Sequence, residues 1–181
     1  MNVVLHFCCG VCAAGAADVL LQEGRRVTGY FYNPNIYPEE EYRLRLEAAQ
    51  RAADKLKFEL AAGPYDVEEW NRVTEGMVAE PEGGSRCSIC YRLRLEKTFG
   101  FMQERDADAF TSTLTISPHK QAAEINRIGK EIGGDRYIAR DFKKKDGFKR
   151  SMELARSWGI YRQNYCGCIY SLQSTKGGQG G

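Results

Sequence analysis

The sequence predicts an α/β fold in which a parallel sheet is flanked by helices and a metal site lies at the carboxyl ends of the strands. Short apolar runs alternate with amphipathic or alanine-rich stretches along the chain, the pattern of repeated strand–helix units. The first run ends in a turn, at the place where open parallel sheets bind their ligands. All seven cysteines fall into three tight clusters, Cys8-Cys9-Gly10-Val11-Cys12, Cys87-Ser88-Ile89-Cys90 and Cys166-Gly167-Cys168.

Residues 3–7 form an apolar run closed by Cys8-Cys9-Gly10 and read as a strand buried on both faces, with His6 as a core histidine. Residues 13–22, rich in alanine and leucine and stopped by Gly24, read as the first helix. Residues 27–32 make the second strand, closed by Asn33-Pro34-Asn35. Pro38 stands where a first-turn proline belongs, and Glu39, Glu40 and Glu41 complement the positive end of a helix running towards Lys55. Residues 58–60 read as a third strand, and residues 66–77 as a helix opened by Asp66 with Glu69 three positions on. The glycine-rich break at 79–85 delivers the second cysteine cluster to the start of a helix over 91–104. A fourth strand is expected at 109–113, a helix at 120–132 ending on Gly133-Gly134, a short fifth strand at 137–139 and a last helix at 147–158 that leads to the third cluster. The end of the chain, 176–181, reads as a flexible glycine-rich tail, leaving 1–175 as a single catalytic domain.

With 181 residues and 43% hydrophobic content the chain can bury one good core. A formal charge of +2 does not by itself force nucleic-acid binding. Basic clusters at Arg43, Arg45, Arg92, Arg94, Lys143-Lys144-Lys145 and Lys149-Arg150 read either as solvated faces or as local nucleic-acid contacts. No stretch approaches the roughly eighteen apolar residues of a membrane span, so a cytoplasmic protein with reduced thiols and no membrane partner is expected.

The cysteines carry the chemistry. An odd count and an N-terminus without a basic leader region argue against a disulfide framework. A structural zinc site of two Cys-x-x-Cys knuckles would leave three cysteines without a task. Four thiolates complete a cubane cluster, and the other three are one short of a closed tetrahedral site, so a second metal held by them keeps a position open.

The motifs Leu5-His6-Phe7-Cys8-Cys9-Gly10-Val11-Cys12, Cys87-x-x-Cys90, Thr113 through Ser117-Pro118-His119-Lys120, Asp141-Phe142-Lys143-Lys144 and Tyr161-Arg162-Gln163-Asn164-Tyr165-Cys166-Gly167-Cys168-Ile169-Tyr170-Ser171 occur in order over about residues 3–172. Together they resemble the QueH-type epoxyqueuosine reductases. The resemblance implies a fold related to the adenine nucleotide alpha hydrolase (HUP) group. It also implies an enzyme that removes the epoxide oxygen of epoxyqueuosine at the wobble position of tRNA, giving queuosine and water.

That reaction asks for a Lewis acid and a low-potential electron source, hence a [4Fe-4S] cluster, a second mononuclear iron and a donor of ferredoxin or flavodoxin type. One partition gives Cys8, Cys9, Cys87 and Cys90 to the cluster and Cys12, Cys166 and Cys168 to the second iron, with a redox-active Cys166–Cys168 pair as the other version. Some members of the family carry an aspartate near the position of Cys12. Asp141 and His119 are candidate proton donors. Tyr161, Arg162 and Gln163, with Lys143 and Lys144, are candidate substrate contacts. Two other classes remain in view: an iron–sulfur tRNA sulfur-transfer enzyme, which needs an adenylating Ser-Gly-Gly-x-Asp-Ser loop after the first strand, and a zinc-stabilised binding module.

Overall fold

The structure, a computed structural model, describes residues 1–177. Strands β1 (Asn2–His6), β2 (Arg26–Phe31), β3 (Glu59–Ala62) and β4 (Ala109–Ser112) form one parallel sheet in the order β3-β2-β1-β4. Leu5, near the middle of β1, lies opposite Gly29 on one side and Thr111 on the other. The helices are α1 (Gly10–Gln22), α2 (Glu39–Leu56), α3 (Val67–Val73), α4 (Ser85–Glu104), α5 (Ala122–Gly133), α6 (Gly147–Ser157) and α7 (Ile169–Gly177).

The uninterrupted apolar run of β1 follows from burial on both faces. Val3, Leu5 and Phe7 pack among Ala13, Ala16 and Leu20 of α1 and Ala48, Ala49 and Ala52 of α2. Val4 points the other way, into a second core with Leu95 and Met102 of α4 and Ile125 and Ile128 of α5. The result is three layers. From β1 the chain winds outwards through β2 to β3, whereas β4 lies on the opposite side of β1. The strand order therefore reverses at β1 and β4, and the crevice above their carboxyl ends is the expected ligand site.

Several elements differ from the sequence reading at their ends. Helix α1 begins at Gly10, not at residue 13, because Cys9 caps it: its Sγ accepts the Cys12 N–H at 3.4 Å and its carbonyl accepts that of Ala13 at 3.0 Å. Gly10 is required there, since a Cβ would lie 2.5 Å from the Ala48 carbonyl oxygen of α2. Helix α4 begins at Ser85, six positions before the expected 91, so the second cysteine cluster lies inside its first turns instead of ahead of it. Helix α3 stops at Val73, where the Thr74 hydroxyl donates to the Trp70 carbonyl. The fifth strand at 137–139 is reduced to a single bridge between Phe110 and Tyr137, because the 3-10 turn Gly134–Arg136 leaves too little extended chain for a ladder. Helix α7 was not expected. It takes in Lys176 and Gly177 of the expected tail, and 178–181 lie outside the described residues.

Candidate metal centre

The first cysteine cluster sits directly on the crevice. The ligating atoms of Cys8, Cys9 and Cys12 all lie within 4.8 Å of one another, the one such group of three or more metal-ligating side chains among the described residues. Thr113, just past β4, ties the cluster to the sheet: its hydroxyl accepts the Cys8 N–H at 3.1 Å and donates to Cys8 Sγ at 3.3 Å. Hydrogen bonds from Cys12 and then Cys9 hold the Cys8 thiol well below its ordinary range, and the same hydrogen bond to Cys8, followed by that to Cys9 and by burial, pushes Cys12 up. His6, beneath it, is buried and pushed down to about 4 by burial and the Arg94 charge. Its Nε2 lies 3.0 Å from the Tyr32 carbonyl, which can only accept, so Nε2 carries the proton and Nδ1 accepts from Ser112 Oγ at 3.0 Å.

The other four cysteines converge from two segments. Cys87 and Cys90 are three residues apart on α4, and Gly83 N–H donates to Cys87 Sγ at 3.2 Å. They face the turn at Cys166-Gly167-Cys168: Cys87 feels the charge of Cys166, and Cys168 feels that of Cys90. A hydrogen bond from Cys168 holds the Cys166 thiol well below its ordinary range, and Cys168 is raised by the same contact. Ser171 clasps this turn twice, its hydroxyl accepting the Cys166 N–H at 3.2 Å and its own N–H donating to Cys168 Sγ at 3.4 Å. All seven cysteines are free thiols. Cys12 neighbours Cys8 and Cys9 through one helical turn, while Cys166 and Cys168 line a second pocket together with Cys87.

Arg45 fixes the third cluster. This fully buried side chain donates from Nη1 to the Cys166 carbonyl at 2.9 Å, from Nη2 to the Tyr165 carbonyl at 3.1 Å and from Nε to Glu41 at 2.7 Å. Gly167 runs at φ +121°, and a Cβ there would come within 2.8 Å of Arg45 Nη1. Tyr161 donates its hydroxyl to the other oxygen of Glu41 at 2.8 Å.

A cavity of about 500 Å³ separates the two groups, with Cys8 and Cys12 on one wall and Cys166 on another. His119, Arg162 and Gln163 line it. Asp141 does not line it: its carboxylate accepts the Lys143 N–H at 3.2 Å and pairs with the Lys143 ammonium at 3.4 Å, closing its own turn. Lys143 is tied down further by the Thr115 and Lys120 carbonyls, whereas Lys144 and Lys145 are exposed.

Sequence reasoning missed the buried cations. Arg45 and Arg94, read as members of surface clusters, are only 2% and 3% exposed. Burial pulls Arg94 down, but the Cys90, Cys166 and Cys8 charges outweigh it and hold the guanidinium above its ordinary range. Burial likewise opposes the charge of Lys120, and Cys166 and Cys8 more than offset it. A signal existed: Arg94 follows Cys87 and Cys90 at helical spacing i, i+3, i+7, which puts all three on one face of α4.

A parallel α/β sheet that carries thiols where nucleotide-binding folds carry a phosphate loop defines a class, an adenine nucleotide alpha hydrolase-like (HUP) fold with a thiolate site. The fold is shared with the U34-tRNA thiolase NcsA from Methanococcus maripaludis, solved with its [4Fe-4S] cluster, at a TM-score of 0.53 and 13% identity over 91% of this chain and 58% of that one. The chain belongs to the epoxyqueuosine reductase QueH family, whose model matches residues 3–174, and it is accordingly an oxidoreductase. It is 36% identical to the epoxyqueuosine reductase QueH of Streptococcus pyogenes serotype M1, over 95% of this chain and 71% of the relative. Against that of Thermotoga maritima it is 35% identical over 94% and 90%.

Proposed function

We propose that this epoxyqueuosine reductase works through iron–sulfur chemistry on tRNA, with Cys87, Cys90, Cys166 and Cys168 holding a [4Fe-4S] cluster and Cys8, Cys9 and Cys12 holding a second iron. The observation that carries the reading is the convergence of seven free thiols into two groups across one polar cavity at the carboxyl edge of the sheet. The donor sets suit the two groups. Soft thiolates favour iron–sulfur binding, the thiols of Cys8 and Cys166 are held well below their ordinary range, and backbone N–H groups donate to Cys9, Cys87 and Cys168. Bound iron would supply Lewis acidity and single electrons at this cavity.

In the overall reaction both C–O bonds of the epoxide break, a C=C bond forms, and the oxygen leaves as water, using two electrons and two protons. A low-potential donor of ferredoxin or flavodoxin class supplies the electrons. The chain's own residues bind and orient: the Arg94 and Lys120 charges counter the thiolates, and His119, on the exposed rim of the cavity, is the candidate for moving protons in from solvent. Asp141 we assign to its turn. Arg162 on the cavity wall, with the exposed Lys144, is a candidate for contacts to the rest of the anticodon and Gln163 for the modified nucleotide itself, and Lys143 supports their loop. Residues 1–175 act as one catalytic domain in this reading. Among the described residues no helix is long and apolar enough to cross a membrane, and with the free thiols this supports a cytoplasmic setting.

The deciding experiment is anaerobic turnover of epoxyqueuosine-containing tRNA with a chemical or flavodoxin-class reductant, followed by nucleoside analysis. Queuosine formation, with about five irons and four labile sulfides per chain, is expected from one cubane and one mononuclear site. Zinc without labile sulfide would overturn the redox reading in favour of a structural site, and a thiolated nucleoside would point to sulfur transfer.

A further inference from the structure

Six buried side-chain polar atoms lack a hydrogen-bond partner among the described residues, and three of them belong to residues lining the one cavity between the thiol groups: Asn35 Oδ1, Arg94 Nη2 and Gln163 Oε1. Native proteins leave few buried polar atoms unpaired, because desolvation without a replacement bond costs free energy. All three belong to residues that line one cavity, which suits that wall to a polar ligand.

These groups are held firmly. Arg94 is anchored through Nε to the Cys90 carbonyl at 3.2 Å and through Nη1 to Asn33 Oδ1 at 3.4 Å, and Asn33 is itself fixed by its 2.7 Å bond to the Phe7 carbonyl. Nη2 alone of its three nitrogens has no partner. Asn35 is 2% exposed and follows directly from the turn that closes β2. The unpaired set is therefore two amide oxygens, which only accept, and one permanently charged donor.

The group that the reductase must recognise has the complementary set. The side chain of epoxyqueuosine is a cyclopentane with two hydroxyl donors and an epoxide oxygen that can only accept. We propose that Asn35 and Gln163 accept hydrogen bonds from the two ring hydroxyls while Arg94 Nη2 donates to the epoxide oxygen, making Arg94 a catalytic residue of the reduction. The inference rests on the function read above and adds the residues that select the substrate. Charge grows on the oxygen as its C–O bonds break, so the bond from a fixed guanidinium strengthens along the reaction. The product has a C=C bond in place of the epoxide and gives Nη2 nothing to bind, which favours its release.

The test uses anaerobic holoenzyme and one tRNA in three forms, with epoxyqueuosine, queuosine or guanine at the wobble position. Arg94→Lys keeps the charge but moves the donor. It is expected to lose about tenfold or more of the preference for epoxyqueuosine over queuosine, and roughly 10²- to 10³-fold in kcat. Its iron content and affinity for the guanine form should match wild type. The Asn35→Ala/Gln163→Ala double variant is expected to lose roughly tenfold in affinity for both diol-bearing forms alike, again without change for the guanine form. It also tests the amide half independently should Arg94→Lys fail to fold. Wild-type discrimination that persists in both variants would overturn the proposal. Lost iron in Arg94→Lys would overturn the role of Arg94, making it a residue of the metal centre. Wild-type enzyme that neither reduces epoxyqueuosine tRNA nor distinguishes the three forms would instead sink the functional reading beneath it.

Discussion

Cys8, Cys9 and Cys12 reach one another through five consecutive residues at the end of the central strand, whereas Cys87 and Cys90 meet Cys166 and Cys168 only because the chain returns from its far end to the face of α4. The first group is a local product of one helix N-terminus, capped by Cys9 and tied to β4 through Thr113. The second is assembled by tertiary contacts, above all those of Arg45 and Ser171 with the turn at 165–168. A local site forms as soon as its strand and helix do. An assembled site depends on every element that positions its two halves, so it should be the more fragile and the more adjustable of the two.

Removing one ligand from each group breaks the comparison most severely. Cys90→Ser is expected to abolish the cubane cluster, with labile sulfide falling to near zero and reductase activity lost, while about one iron stays with the first group. Cys12→Ser should do the converse, keeping sulfide and cluster absorbance while losing about one iron and the activity. Cys12→Asp should retain partial activity, because a carboxylate still ligates iron where a serine hydroxyl at neutral pH does so poorly. Iron and sulfide analysis of anaerobic protein checks all three. If Cys12→Ser instead loses the sulfide, the cluster sits on the first group and the partition must be inverted.

The same contrast explains what was legible in the sequence. The local group was visible as spacing, and so was the alternation that builds the sheet: β1 needs only its own apolar run, and α2 only its proline and glutamates. The pairing of the cysteine clusters was not visible, because spacing within a cluster says nothing about which cluster the fold brings opposite it. The buried arginines were obscured for a related reason. Arg45 lies on the same face of α2 as Tyr42, Ala48, Ala49 and Ala52, but a charge in an apolar stripe becomes interpretable only when its partner, here the backbone of 165–166, is known. The fifth strand failed because a three-residue apolar run does not say whether its neighbour offers a full ladder or one bridge.

Loss of the Arg45 clamp is the next largest effect. Arg45→Met would leave Glu41 buried without its partner and two carbonyls of the cysteine turn without donors. Breaking one side of a buried ion pair typically costs about 3–5 kcal/mol, so denaturant unfolding of the apo-protein should show a loss on that scale. Adding Glu41→Leu should recover much of the stability, because the stranded carboxylate is then gone. It should not recover cluster loading, because the carbonyls of 165 and 166 remain unclamped. Equal recovery of both would mean that the turn holds its shape without Arg45, and the second group would then be nearly as local as the first.

The smallest effect, and the finest probe of the difference, comes from one hydroxyl in each group. Thr113→Val keeps the shape of a fully buried side chain but removes the acceptor for the Cys8 N–H and the donor to Cys8 Sγ together. An unpaired buried N–H costs about 1–3 kcal/mol, and loss of a bond to a metal ligand typically weakens metal affinity by roughly 10- to 100-fold. Ser171→Ala removes only the acceptor for the half-buried Cys166 N–H, while the Ser171 N–H still donates to Cys168 Sγ. Chelator competition monitored by iron release should therefore weaken the first group by at least tenfold in Thr113→Val and leave its cubane unchanged. In Ser171→Ala the cubane should lose less than that, since water can reach the freed N–H and Arg45 still grips the carbonyls of the same turn. A larger loss in Ser171→Ala than in Thr113→Val would show that the assembled site is held by Ser171 more than by Arg45, and that the clamp belongs to α7 instead of α2.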